Sequence, residues 1–87
     1  MSSVRNALRE AVAHHEAGRL DQAMGLYHDV LQTAPEHPDA LHLMGVLAHQ
    51  QGAPAQAIDL IHRAILQRDV VPEYHNNLGA ALRAAGK

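Results

Sequence analysis

The sequence predicts an all-α fold of antiparallel helix–turn–helix repeats, about two and a half repeats in five helices. Three observations carry that prediction. The first is a fixed spacing: Gly18, Gly52 and Gly86 share one register, Gly45 and Gly79 a second, Ala23 and Ala57 a third, Pro38 and Pro72 a fourth, and each step is 34 residues. Thirty-four residues accommodate two helices and two tight turns. The second is apolar spacing of the 3.6-residue helical period within each half-unit. The third is punctuation, with proline where helices open and glycine where they close. A repeat of this kind buries its apolar face only against its neighbours, so its work is to hold another chain.

The elements follow in order. Ser3 caps a first helix that runs to about Ala17 and carries Ala7, Leu8, Ala11 and Val12 on one side. Gly18 breaks it. A second helix from about Leu20 carries Ala23, Leu26, Tyr27, Val30 and Leu31, and ends before Pro35. The third opens at Pro38, where a missing N–H costs nothing, and shows Leu41, Met44, Val46, Leu47 and Ala48 before Gly52 stops it. The fourth opens at Pro54, shows Ala57, Ile58, Ile61, Ala64 and Ile65, and stops near Arg68, because Pro72 disfavours helix at the residue before it. The fifth runs from Pro72 to about Ala85. Repeat 1 is therefore 4–37, repeat 2 is 38–71, and 72–87 begins a third. The turns are short, which makes sequential helices antiparallel neighbours. The alanines at 80, 81, 84 and 85 make a poor polar cap, and the expectation is an excerpt of a longer array.

Composition narrows the function classes. There is no cysteine, hence no disulfide framework, zinc ribbon or thiol nucleophile, and the chain suits a reducing cytoplasm. A formal charge of −2 offers no footprint for nucleic acid. The start, Met-Ser-Ser-Val-Arg-Asn, lacks the apolar core of a signal peptide. No apolar run approaches the ~20 residues of a membrane span. Nothing resembles a phosphate-binding glycine loop, and nothing places two carboxylates around a pocket, so no catalytic residue, no cofactor and no enzymatic activity are expected. Eight histidines raise the question of a metal. No pair has the i, i+4 helical spacing; His15 and His49 are repeat equivalents, as are His28 and His62, and lie too far apart to share an ion. Only His42 and His75 fall on adjoining helices at comparable heights. The expected metal set is none, and a response to pH is the more direct consequence of so many imidazoles.

In register, these residues resemble tetratricopeptide repeats. Repeat 2 supplies Leu41, Met44-Gly45 and Ala48, then Ala57, Ile61 and Ala64. Repeat 3 supplies His75, Leu78-Gly79 and Leu82. Repeat 1 supplies Ala7, Glu10-Ala11 and His14, then Ala23, Tyr27, Val30 and Pro35. The departures are the absence of tryptophan, Asp69 in place of proline, and Glu10 in place of leucine. The run Pro72-Glu73-Tyr74-His75-Asn76-Asn77-Leu78-Gly79 is similar to the arrays preceding the catalytic domain of bacterial O-linked N-acetylglucosamine transferase-like enzymes, although Arg9 and Leu43 stand where a full asparagine ladder would continue from Asn77.

The resemblance implies a right-handed superhelical stack whose concave side, lined by the first helix of each repeat, grips a peptide or partner segment. Carried onto this chain, the contact residues are Arg5, Arg9, His15, His42, His49, Asn76, Asn77 and Arg83, set among apolar Leu8, Val12, Leu43 and Val46. The carboxylate clamp for chaperone C-termini is not implied, because Leu8 and Val12 replace its lysine and asparagine. The partners expected are a protein or peptide, with neither nucleic acid nor membrane. The unfinished third repeat adds a second expectation: Leu78 and Leu82, one turn apart on the last helix, lack the usual covering helix and can bring two copies together as a homodimer.

Overall fold

The computed structural model describes residues 3–86 and contains five helices: α1 (Val4–Glu16), α2 (Leu20–Thr33), α3 (Pro38–Gln50), α4 (Pro54–Gln67) and α5 (Pro72–Ala84). No strand occurs among the described residues. The helices form two antiparallel hairpins, α1–α2 and α3–α4; α2 packs on α3, and α5 lies against both α4 and α3. The molecule is elongated, 43 × 26 × 19 Å.

Local chemistry sets the boundaries. Ser3 Oγ accepts from the Asn6 amide at 3.1 Å and opens α1. Gly18 (φ 81°) and Gly52 (φ 79°) occupy the left-handed region that side chains avoid. Each closes a Schellman motif. Gly18 N–H bonds His15 O and Arg19 N–H bonds His14 O; Gly52 N–H bonds His49 O and Ala53 N–H bonds Ala48 O. The same motif 34 residues apart is the physical content of the glycine register. The start of α3 has a device the sequence reading missed: His37 Nδ1 accepts from the Ala40 amide at 3.2 Å, a role normally given to Ser, Thr, Asp or Asn.

The core is mostly small side chains with a few large ones wedged between. Ala11, Ala23, Tyr27 and Leu47 form one buried cluster; Leu41, Ala48, Ala57, Ile61, Ala64, Tyr74 and Ala81 form the other. Alanine lets the helix axes approach, and Tyr27 and Tyr74 fill the remaining space. At Gly45 the approach is closest: a Cβ there would lie 2.6 Å from Ile61 Cγ1 and 3.3 Å from Ala57 O. Gly79, the equivalent residue of α5, has room instead; its Cβ would meet only Arg83 Nη1, at 3.4 Å.

Candidate functional site

The first helices of the successive units, α1, α3 and α5, are joined by three side-chain hydrogen bonds, each between residues 35 apart. His15 Nε2 donates to Gln50 Oε1 at 2.6 Å. The Tyr74 hydroxyl donates to Asp39 Oδ1 at 2.5 Å. Asn77 Nδ2 donates to His42 Nε2 at 2.8 Å. The repeat is 34 residues, so each bond reaches one position further along the next helix.

These contacts fix the histidine tautomers. Gln50 Oε1 can only accept, so His15 carries its proton on Nε2, and its Nδ1 takes the Tyr27 hydroxyl at 2.9 Å. The Asn77 amide nitrogen can only donate, so His42 Nε2 is bare and its proton is on Nδ1. His42 is buried, and the Tyr74 ring stacks on it with centroids 4.5 Å apart. Burial pushes the His42 pKa below the ordinary 6.5, while the nearby Asp39 and Glu73 carboxylates pull it back up. Burial, and secondarily Glu16, push the Tyr27 pKa up to about 12. Burial and the bond to Asp39 raise that of Tyr74 as well.

The His42 shift sets the sign of a pH effect. Well above pH 6.5 the folded and unfolded chains both hold this imidazole neutral, and its contribution is constant. As pH falls below 6.5 the unfolded chain takes up the proton first, so stability drops until the folded-state pKa is passed. Urea titrations of wild type and His42→Gln at about pH 7.5 and about pH 5.5 isolate this contribution. The wild type is expected to lose more stability on acidification, and equal losses would contradict it.

The residues assigned to a groove by resemblance divide into two groups. Arg5, Arg9, Asn76 and Arg83 are exposed, and His49 is half-buried. Arg5 and Arg9, with Leu8, Val12, Ala13 and Glu16, line an open cleft of about 440 Å³ along α1. His15, His42 and Asn77 instead spend hydrogen bonds inside the molecule, on Gln50, Tyr27 and each other. His75 turns to its own turn, donating from Nε2 to Asp69 O at 2.9 Å, and so takes a different partner from His42. Among the described residues no three His, Asp or Glu side chains are disposed around a common ion. Leu78 is partly buried and already packs on the cluster around Leu41 and Ile61, while Leu82 is half-exposed. A larger open cleft, about 590 Å³, is lined by Met24 of α2, Met44 and Ala48 of α3, and Asp59 and Leu60 of α4, among others.

The residues that sequence reasoning missed here are Gln50, Asp39, Tyr27 and Tyr74 as bonding partners. No helix among the described residues is long and apolar enough to cross a membrane. A search among curated proteins finds no match. The model of the family described as tetratricopeptide repeat matches residues 14–85. That match spans α2 to α5 and the last turn of α1, including both Schellman glycines and all three inter-helix bonds, and the chain belongs to the tetratricopeptide repeat family.

Proposed function

We propose that this chain is a non-catalytic scaffold that binds a peptide or extended partner segment along the face made by α1, α3 and α5. Repeats of this family generally mediate protein–protein interaction. The observation that carries the reading is the α1 cleft, where apolar Leu8 and Val12 are bracketed by exposed Arg5 and Arg9. An apolar floor with two arginines and Glu16 at its rim suits a segment that inserts a hydrophobic side chain and offers carbonyls or a carboxylate to the guanidinium groups. Asn76 and Arg83 extend the polar rim on α5. In this reading 4–37 and 38–71 are full repeats, 72–87 opens a third, the stack is a right-handed superhelix, and the protein works in the cytoplasm. The glycosyltransferase context suggested by the Pro72–Gly79 run is a narrower form of the same role, recruitment of a polypeptide substrate. It has weaker support, since Asn77, its one ladder residue, is bonded to His42.

The test uses residues with no structural task. Peptides selected from a display library on the intact chain are titrated calorimetrically against Arg9→Ala, Arg83→Ala and, as a control on α2, Gln22→Ala. Each arginine change is expected to weaken binding about 10-fold, as for loss of one charge-assisted hydrogen bond of about 1.5 kcal/mol. Equal effects from Gln22→Ala would place the ligand elsewhere.

A second reading, self-association through α5, has its own observation. Gly79 is open where the equivalent Gly45 is filled by Ile61 of the next helix. The face of α5 bearing Gly79 and the half-exposed Leu82 can therefore receive a helix from a second copy, with Leu78 already packed on its own core. Sedimentation over a concentration series should show a weak dimer that Leu82→Glu disperses; a strict monomer to several hundred micromolar (the weak end of the affinity scale) would end this reading.

A further inference from the structure

We infer that His42 decides which end of the Asn77 side-chain amide faces the proposed groove: the carbonyl when the imidazole is neutral, the NH2 when it is protonated. The inference follows from donor and acceptor counting at one buried contact. In the structure Asn77 Nδ2 donates to His42 Nε2 at 2.8 Å, so Asn77 Oδ1 is left for the outside. A protonated imidazole donates from both nitrogens and has no lone pair to offer. The contact would then set an N–H against an NH2. His42 is 8% exposed, so water cannot relieve that clash cheaply. Its ring packs against the tilted Tyr74 ring, centroids 4.5 Å apart, and the Tyr74 hydroxyl is in turn tied to Asp39. The group with freedom is the half-buried Asn77 amide. Rotating it by half a turn offers Oδ1 to the new Nε2–H and presents the NH2 outward.

The charged groups that reach His42 are Asp39 of its own helix and Glu73 of α5, both anionic. They supply a counter-charge for the protonated state, so acidification reverses the amide rather than expelling the ring. Burial acts against protonation and places the change below pH 6.5. The neighbouring junction is the contrast. His15 already donates from Nε2 to Gln50 Oε1, so the bond across that junction does not use an imidazole lone pair, whereas the bond across the His42 junction does.

The consequence for recognition rests on the groove reading above. At neutral pH position 77 accepts, and it favours a ligand N–H. In acid it donates beside a buried cation, and it favours a ligand carbonyl or carboxylate.

The switch itself is read without any ligand, which keeps its failure distinct from failure of the groove. Nitrogen-15 NMR of the intact chain is followed through a pH titration. At neutral pH the His42 resonances should show Nδ1 protonated and Nε2 bare. The His42 transition should fall below 6.5, and the Asn77 side-chain amide should shift with the same midpoint. In Asn77→Asp the carboxylate can only accept, so His42 should move to the Nε2–H form and its midpoint should rise relative to wild type. In His42→Gln the step at the Asn77 amide should vanish; this variant and the wild-type titration decide the matter if Asn77→Asp fails to fold. A neutral His42 protonated on Nε2, or an Asn77 amide that ignores the His42 transition, overturns the inference.

Discussion

Gly45→Ala is expected to destabilise the fold by about 1–3 kcal/mol, the usual range for overpacking, whereas Gly79→Ala should stabilise it by about 0.5–1 kcal/mol through helix propensity. Both glycines occupy the same place in the 34-residue period. At Gly45 the new methyl would lie 2.6 Å from Ile61 Cγ1. That carbon is on the branch at the base of the side chain, and a β-branched residue in a helix has one strongly preferred χ1. Relief therefore requires α3 and α4 to separate, with Ala57 O close behind at 3.3 Å. At Gly79 the nearest atom is the tip of the flexible Arg83 side chain. Chemical denaturation of the two variants at low protein concentration checks the pair. Equal changes of the same sign would mean that the close α3–α4 approach does not constrain the fold.

Tyr74→Ala should cost about 3–5 kcal/mol, as other buried aromatic truncations do, and the loss should fall on α5. Tyr74 is 1% exposed, stacks on His42 and donates to Asp39. Among the described residues the main contacts of α5 are with α4 and α3. In a nearest-neighbour stack a defect at one unit need not unfold the rest. Hydrogen exchange should show α5 amides losing protection while those near Ala11, Ala23 and Tyr27 keep theirs. Tyr74→Phe retains the ring and gives up only the bond to Asp39, so its cost should be about 0.5–1.5 kcal/mol. Uniform loss of protection across all five helices in Tyr74→Ala would show instead that the chain opens as one unit.

The helices were legible because their signals are local. Gly18 and Gly52 must adopt φ values that other residues avoid, and Pro38, Pro54 and Pro72 tolerate only the first turn of a helix, so the breaks could be read without knowing any packing. The bonds between first helices were not legible for the same reason. Repeat analysis aligns residues 34 apart and seeks likeness, while these bonds join unlike residues 35 apart. The extra residue arises from how one helix is set against the next, which no single repeat encodes. Asn77 illustrates the result. Its position pointed outward to a ligand, and its nearest obligation is His42. Arg5 and Arg9 line an open cleft along α1.

The inter-helix bonds also limit how the gene for such an array can change length. A clean excision of residues 38–71 removes one whole period and preserves every helix boundary. It would nevertheless bring α1 against α5, with Arg5 opposite Tyr74, Leu8 opposite Asn77, and His15 opposite Ala84. His15 and Asn77 would face side chains that cannot hydrogen-bond, and the Tyr74 hydroxyl would exchange its carboxylate acceptor for a guanidinium. Residues 8 and 43, at the earlier junction, are both leucines packed on the Ala11–Leu47 cluster, whereas the later junction uses His42 and Asn77 at the same height. The two seams thus carry different keys. Units that look interchangeable by their glycines and prolines have a fixed order of succession, and a duplication or deletion in this region would need a compensating change at the seam to survive.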